Sequence, residues 1–240
     1  KKNMNTLFSE KITLDRDSHI YKLKDYDDIE FTSVTTFIGH FFEEFDAKKV
    51  ATKLVNSNIK YMHMSVEELM AQWKHAADYG TVVHEELEDY ILHGTEVKEK
   101  KSIQGINWLK KYMVKSRYDV YSECIVYSKE LKLAGTIDLL LYDKNADSYA
   151  IMDWKTSKRI DSKAFKNRKG NHRVTSNMDD CNFNHYSLQT SLYRYILEKF
   201  YGLKITEHMI VHLMEDNCVG YHTPYLKNYI IAMLNDLGEK

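Results

Sequence analysis

The run Gly135-Thr-Ile-Asp138-Leu-Leu-Leu-Tyr142, followed by Tyr149-Ala-Ile-Met-Asp153-Trp-Lys155, decides how the chain is read. Both segments are rich in Ile, Leu and Tyr and read as strands, with Asp143–Asp147 as the turn between them. The turn centres between Asn145 and Ala146, so opposed residues carry numbers that add to 291; Asp138 and Asp153 meet that condition. A regular antiparallel hairpin would then set the two carboxylates opposite each other, roughly 4.5–5.5 Å apart at Cα. Lys155 shares the face of Asp153, because side chains alternate along a strand. The remaining residues are apolar on both faces, as in buried strands. Two like charges opposed in a buried sheet are destabilising. Lys155 offsets one of them, and a divalent cation would complete the neutralisation, with oxygen ligands favouring Mg²⁺ or Mn²⁺. A bare D-x-K tripeptide is more often a buried ion pair. D-x14-D-x-K on a hairpin that opens with Gly135 points instead to a site.

Outward from the hairpin, 119–128 reads as a third strand, and 205–214 and 218–223 as two more. A helix over 185–201 stops before Gly202, and another follows Pro224. Upstream the periodicity is helical. Val34, Phe37, Ile38 and Phe41 share a face, and further helices are predicted over 46–56, 79–93 and 101–114. Ser65-Val-Glu-Glu68 is a capping-box pattern opening a helix through about Ala77. Residues 11–23 read as a short hairpin around Asp15–Ser18. The order predicts an α/β (α+β) fold: a mixed central sheet flanked by helices, with a helical N-terminal region. We expect a single domain over 1–240, with 1–115 mainly helical and 116–240 forming the core.

Composition sets the outer limits. The chain has 240 residues, 43% hydrophobic and 29% charged, with a formal net charge of −1. This excludes a disordered tail and a polycation, but a local basic patch can still serve nucleic acid. No apolar run reaches the roughly 18–20 residues of a membrane span, and no signal-peptide pattern opens the chain. Cys124, Cys181 and Cys218 are odd in number and far apart, which argues against a disulfide scaffold and against a four-cysteine zinc or iron–sulfur site. A reducing, intracellular compartment is expected: cytoplasm, or mitochondrion or host cell for an organellar or viral protein.

Asp138…Asp153-Trp154-Lys155 resembles the PD-(D/E)xK nuclease signature in the form G-x-x-D…D-W-K-T-S. Gly80-Thr-Val-Val-His84 upstream and Gln189-x-x-x-Tyr193 downstream sharpen the resemblance to the RecB-like branch. Within that branch the chain is most similar to the mitochondrial genome maintenance exonuclease and related phage and viral exonucleases, which the Thr32-Ser33-Val-Thr-Thr36 stretch also resembles. The resemblance spans roughly 30–200 and implies a restriction-endonuclease-like fold. It implies that His84, Asp138, Asp153 and the Trp154 carbonyl ligate the metal, Mg²⁺ or Mn²⁺. Asp138, Asp153 and Lys155 would be catalytic, with Lys155 helping to deprotonate the attacking water. Gln189 and Tyr193 would hold substrate phosphate and the lysine, and Ser33 would contact substrate. No iron–sulfur cluster is expected, and no P-loop is present. Read without the resemblance, His84 is one of eleven histidines and Tyr193 is as easily a core residue. Glu123 reads either as a further acidic ligand or as a satisfied strand carboxylate.

Between Lys155 and Arg173 stand eight basic residues and one acid, Asp161, a local charge of +7. Such runs are often solvated loops. Beside a phosphodiester-cleaving site, Lys158, Arg159 and their neighbours would bind backbone phosphates without reading sequence, and Phe165, Phe183 and Tyr186 could stack bases. The expected activity is a metal-dependent DNA nuclease, a single-strand-preferring exonuclease. Alternatives are a cap-snatching-type RNA endonuclease and a catalytically inactive nucleic-acid-binding module. A zinc hydrolase is disfavoured, because His84-Glu-Glu-Leu-Glu88 lacks the second histidine of H-E-x-x-H.

Overall fold

The computed structural model describes residues 11–113 and 117–238. The expected boundary between 115 and 116, the end of the 101–114 helix and the first ten residues lie outside them.

A small hairpin comes first, β1 (Ile12–Asp15) and β2 (Ile20–Leu23), with Asp15 Oδ1 accepting from the N–H groups of Asp17 and Ser18 in the turn. A two-residue strand β3 (Thr32–Ser33) leads directly into α1 (Val34–Gly39). Then follow α2 (Ala47–Ser57), α3 (Val66–His93) and α4 (Lys100–Met113). The antiparallel meander β4 (Tyr118–Ser128), β5 (Leu133–Asp143) and β6 (Ser148–Lys155) comes next, then α5 (Asn182–Tyr201), β7 (Ile205–Leu213), β8 (Cys218–His222) and α6 (Lys227–Gly238). Strand β7 runs parallel to β6, and β8 returns antiparallel. This is the predicted mixed sheet flanked by helices, with the layout of a restriction-endonuclease-like fold.

Helices α1, α5 and α6 cover one face of the sheet through Val34, Phe37, Leu188, Leu192, Ile196 and Ile230. Helices α3 and α4 cover the other through Val83, Leu87, Ile106 and Leu109. Each face is an apolar layer, so the central strands are buried on both sides.

Two local features depart from the sequence expectation. The two helices expected on either side of residue 78 are one 28-residue helix, α3, opened by the reciprocal capping box of Ser65 and Glu68. Gly80 is not a terminus within it: a Cβ there would meet Thr156 Oγ1 at 2.7 Å, so this glycine lets α3 lie against the end of β6. Strand β3, too short to show periodicity, was not foreseen. The 156–181 segment contains a short 3-10 turn at Phe165–Asn167.

The hairpin register is the predicted one, but it ends early. Pairs from Asp143↔Ser148 to Leu139↔Met152 all add to 291, and the ladder stops one residue short of Asp138 and Asp153. Strand β4 runs along one edge of β5 over its whole length. The other edge is shared: β3 takes Leu133 and Ala134, β6 takes Leu139 to Asp143. Gly135–Asp138 therefore lie in a gap between two partners. Side-chain alternation also breaks there. Ile137 and Leu140 face α1 and α5, while Leu139 and Leu141 face α3 and α4. Strand β4 switches in step, since Tyr121 and Cys124 share one face, and the residue at the switch, Glu123, has φ +51°.

Gly135 fits tightly into this gap. A Cβ would sit 2.6 Å from Tyr193 Cε1 and 3.0 Å from Val34 Cγ2. Gly135→Ala should destabilise the protein by roughly 1–3 kcal/mol through overpacking. A urea midpoint equal to wild type would contradict this packing.

Candidate active site

The site occupies the gap. Because β5 and β6 part after Leu139 and Met152, Asp138 is not sealed in a ladder. Its Oδ2 accepts the Trp154 backbone N–H at 2.8 Å, replacing the strand-to-strand bond that the splay removes. On the same stretch of β5, the Thr136 carbonyl accepts the Tyr193 hydroxyl at 2.9 Å. The opening admits groups from both faces of the sheet: His84 from α3, and Gln189 and Tyr193 from α5.

Three carboxylates meet here. Asp138 and Asp153 are 9% and 3% exposed, and Glu123 is half-buried. Glu123 lies opposite Asp138 in the β4–β5 register, although the pair itself is skipped in the ladder. His84 Nδ1 is 3.7 Å from Asp138 Oδ2. Lys155 Nζ is 2.5 Å from Asp153 Oδ2, an oxygen that is buried and takes no hydrogen bond of good geometry. The ammonium is also 3.5 Å from Gln189 Oε1 and 4.4 Å from the centre of the Tyr186 ring. Gln189 Nε2 reaches Tyr193 OH at 3.5 Å, so α5 carries a polar relay from Lys155 to the β5 backbone.

Charge is out of balance. Burial first, and then the Asp153 charge, raise Asp138 to about 6 despite His84, Lys155 and the Trp154 N–H. Burial and the Asp138 charge raise Glu123 to about 8. Burial alone would lower the Lys155 ammonium, but Asp153 and Asp138 outweigh it and leave it raised. The carboxylates thus need either protons or a further cation. Donor atoms of His84, Glu123 and Asp138 lie within 4.8 Å of one another, and these three fit a divalent metal. Asp153 lies outside that group of three, turned to Lys155.

An open cleft of about 390 Å³ reaches these residues. His84, Asp138, Asp153, Trp154 and Lys155 line it, with Lys158, Tyr186, Gln189 and the Thr156–Ser157 segment. Tyr193 is buried beneath it. Two residues singled out in the sequence are placed elsewhere. Ser33 is the N-cap of α1, its hydroxyl taken by the Thr36 N–H and Thr36 Oγ1. Arg159 is exposed and paired with Asp161 at 3.0 Å. Nor is the basic segment a free polycation: Arg168 pairs with Asp180, Lys169 with Asp179 and Arg173 with Asp236. Of its charges, Lys155 and Lys158 line the cleft. Phe165 is 78% exposed and away from the lining, whereas Tyr186 is part of it.

No protein-family model matches the chain, and no curated protein matches it. Crystal structures that align with it include two of low identity. The protein SSO0001 has 11% identity and a TM-score of 0.42, over 100% of this chain and 86% of its own. A "Putative exonuclease" from Eubacterium rectale has 15% identity and a TM-score of 0.40, over 95% and 85%. Likeness at this level assigns no activity.

The raised carboxyl groups have a consequence in chelator. Folding raises the affinity of Glu123 and Asp138 for protons, so stability is fullest below their ordinary range near 4. It is lost as pH rises through about 6 and about 8. Thermal midpoints in EDTA should fall between pH 5 and 8, and Glu123→Gln should shrink the fall. Equal pH dependence in the variant would contradict the burial of this charge.

Proposed function

We propose that the protein is a metal-dependent nuclease of the PD-(D/E)xK superfamily, RecB-like branch, that hydrolyses phosphodiester bonds in DNA. We assign it a single-strand preference and attack from ends. Residues 1–240 would form a single nuclease domain, with 1–115 as a helical wall on the 116–240 core. The observation that carries the reading is the splayed β5–β6 hairpin, which brings Asp138, Asp153 and Lys155 together at one opening with His84 and with the Gln189–Tyr193 relay. These are the residues that the sequence resemblance selects.

The chemistry follows from the arrangement. Hydrolysis adds water to phosphorus, breaks one P–O ester bond and returns a proton to the leaving oxygen. A divalent cation, Mg²⁺ or Mn²⁺, supplies activation of that water and neutralises charge on the phosphate oxygens. His84, Glu123 and Asp138 would hold it, with Asp153 and the Trp154 carbonyl beside them. The His84 nitrogen favours Mn²⁺ relative to an all-oxygen set. Lys155 is held against Asp153 and Gln189, where its ammonium can orient the attacking water and offset the charge that builds at phosphorus. Lys158 extends the positive rim toward the next phosphate, and the Tyr186 ring offers a base-stacking surface.

End-labelled single-stranded DNA, duplex DNA and RNA, with free and blocked ends in Mg²⁺ and in Mn²⁺, test the reading. We expect cleavage of single-stranded DNA that EDTA abolishes. Asp138→Asn and Lys155→Ala should each lose at least about 10²–10³-fold in rate with circular dichroism unchanged. Cleavage retained in either variant would overturn the site.

A further inference from the structure

We infer that His212 and Lys101 are positioning residues for the cleft, holding the Thr156–Ser157 segment that connects Lys155 to Lys158; the inference rests on the nuclease reading of that cleft. Strand β6 ends at Lys155, whose partner on β7 is His212. Beyond Lys155 the chain leaves the ladder, yet Thr156, Ser157 and Lys158 all line the cleft. A segment that leaves a sheet and still faces a site needs other anchors.

Two elements supply them, and a third makes room. His212, 3% exposed, places Nε2 2.6 Å from the Ser157 carbonyl oxygen. A carbonyl only accepts, so the imidazole carries its proton on Nε2 and donates it. Lys101, on α4 across the sheet, donates from Nζ to the Thr156 carbonyl at 2.8 Å. Gly80 on α3 leaves room for the Thr156 hydroxyl. Successive carbonyls are thus gripped by donors from different elements. In a trans peptide the following N–H points the opposite way, so the orientation of the Ser157 and Lys158 amides is set as well. The two lysines flanking this segment are the cations of the cleft.

The alternative is that His212 merely fills the core. Its neighbours on β7, Val211 and Leu213, are fully buried and apolar, and an apolar residue would fill that role without a donor. His208, on the same strand and two side-chain repeats earlier, shows the contrasting case. Its ring is bonded to Thr223 and stays within the core, reaching no cleft residue. The His212 donor is aimed at the cleft rim.

Steady-state cleavage of labelled single-stranded DNA, together with hydrogen exchange over 155–159, distinguishes the two. His212→Leu should lower kcat about 10- to 100-fold, as expected for a misplaced reacting group, with KM changed less than about threefold. Exchange over 155–159 should quicken while β7 is unchanged. His212→Gln, which keeps a donor at the Nε2 position, should restore most of the rate. Lys101→Met should quicken the same amides, and decides the matter if His212→Leu does not fold. A wild-type kcat in His212→Leu, or His212→Gln as impaired as His212→Leu, would overturn the inference. Absence of cleavage by the wild-type protein would instead overturn the nuclease reading. Exchange alone then judges the anchors, and unchanged exchange in both variants overturns them.

Discussion

The hydrogen bond from the Trp154 amide to the Asp138 carboxylate is the contact on which the rest of the site depends. In a continued ladder, Asp138 would face Asp153 across paired backbones, and each side chain would point to one face or the other. The strands instead part after Leu139 and Met152, and a side-chain oxygen takes over the role of a backbone acceptor. Parting opens a slot through the sheet. Through it His84, mounted on the α3 face, comes within 3.7 Å of a carboxylate that Lys155 and the α5 residues approach from the other side. Both motif glycines serve this geometry. Gly135 makes room for the Tyr193 ring, and Gly80 lets α3 approach the end of β6.

The opening also sets the electrostatics. Three carboxylates converge where solvent is limited, with the Lys155 ammonium and the His84 ring beside them and the Arg16 guanidinium also acting on Glu123. Burial first, and then the neighbouring carboxylates, raise two of them, Asp138 to about 6 and Glu123 to about 8. A buried arrangement of like charges is costly unless something compensates it. Glu123 is placed there by a left-handed backbone at the point where β4 and β5 switch faces together. A non-glycine residue in that region is uncommon within a strand. That backbone adds a third carboxylate to the opening, and His84, Glu123 and Asp138 together fit a divalent cation.

Much of this was legible in the sequence. The element order after residue 117, the hairpin register as far as Leu139 and Met152, and the capping box at Ser65 follow from periodicity and turn chemistry, and the structure has them. The splay was not legible, because period-two alternation assumes an unbroken strand; it was the assumption that failed at Asp138. The two helices expected on either side of residue 78 are one, and the reason for the Gly80 inside it, Thr156, is 76 residues away. The basic run overstated free charge, for its partners Asp179, Asp180 and Asp236 lie beyond the counted window. Glu123 was within reach: the register that pairs β4 with β5 sets it opposite Asp138. His212 and Lys101 belong to no motif, and only the folded chain brings them to Thr156 and Ser157.

Calorimetric titration of the metal-free protein with Mn²⁺ at pH 7, in buffers of different ionisation enthalpy, reads whether the acidic opening takes a cation. Burial holds the Glu123 and Asp138 carboxyls above their ordinary range, Glu123 at about 8, so a cation entering among them displaces protons. We expect binding whose apparent enthalpy varies with the buffer in the sense of proton release, and its loss in Asp138→Asn. No binding by the wild-type protein, or equal binding by Asp138→Asn, would contradict a cation site at the opening.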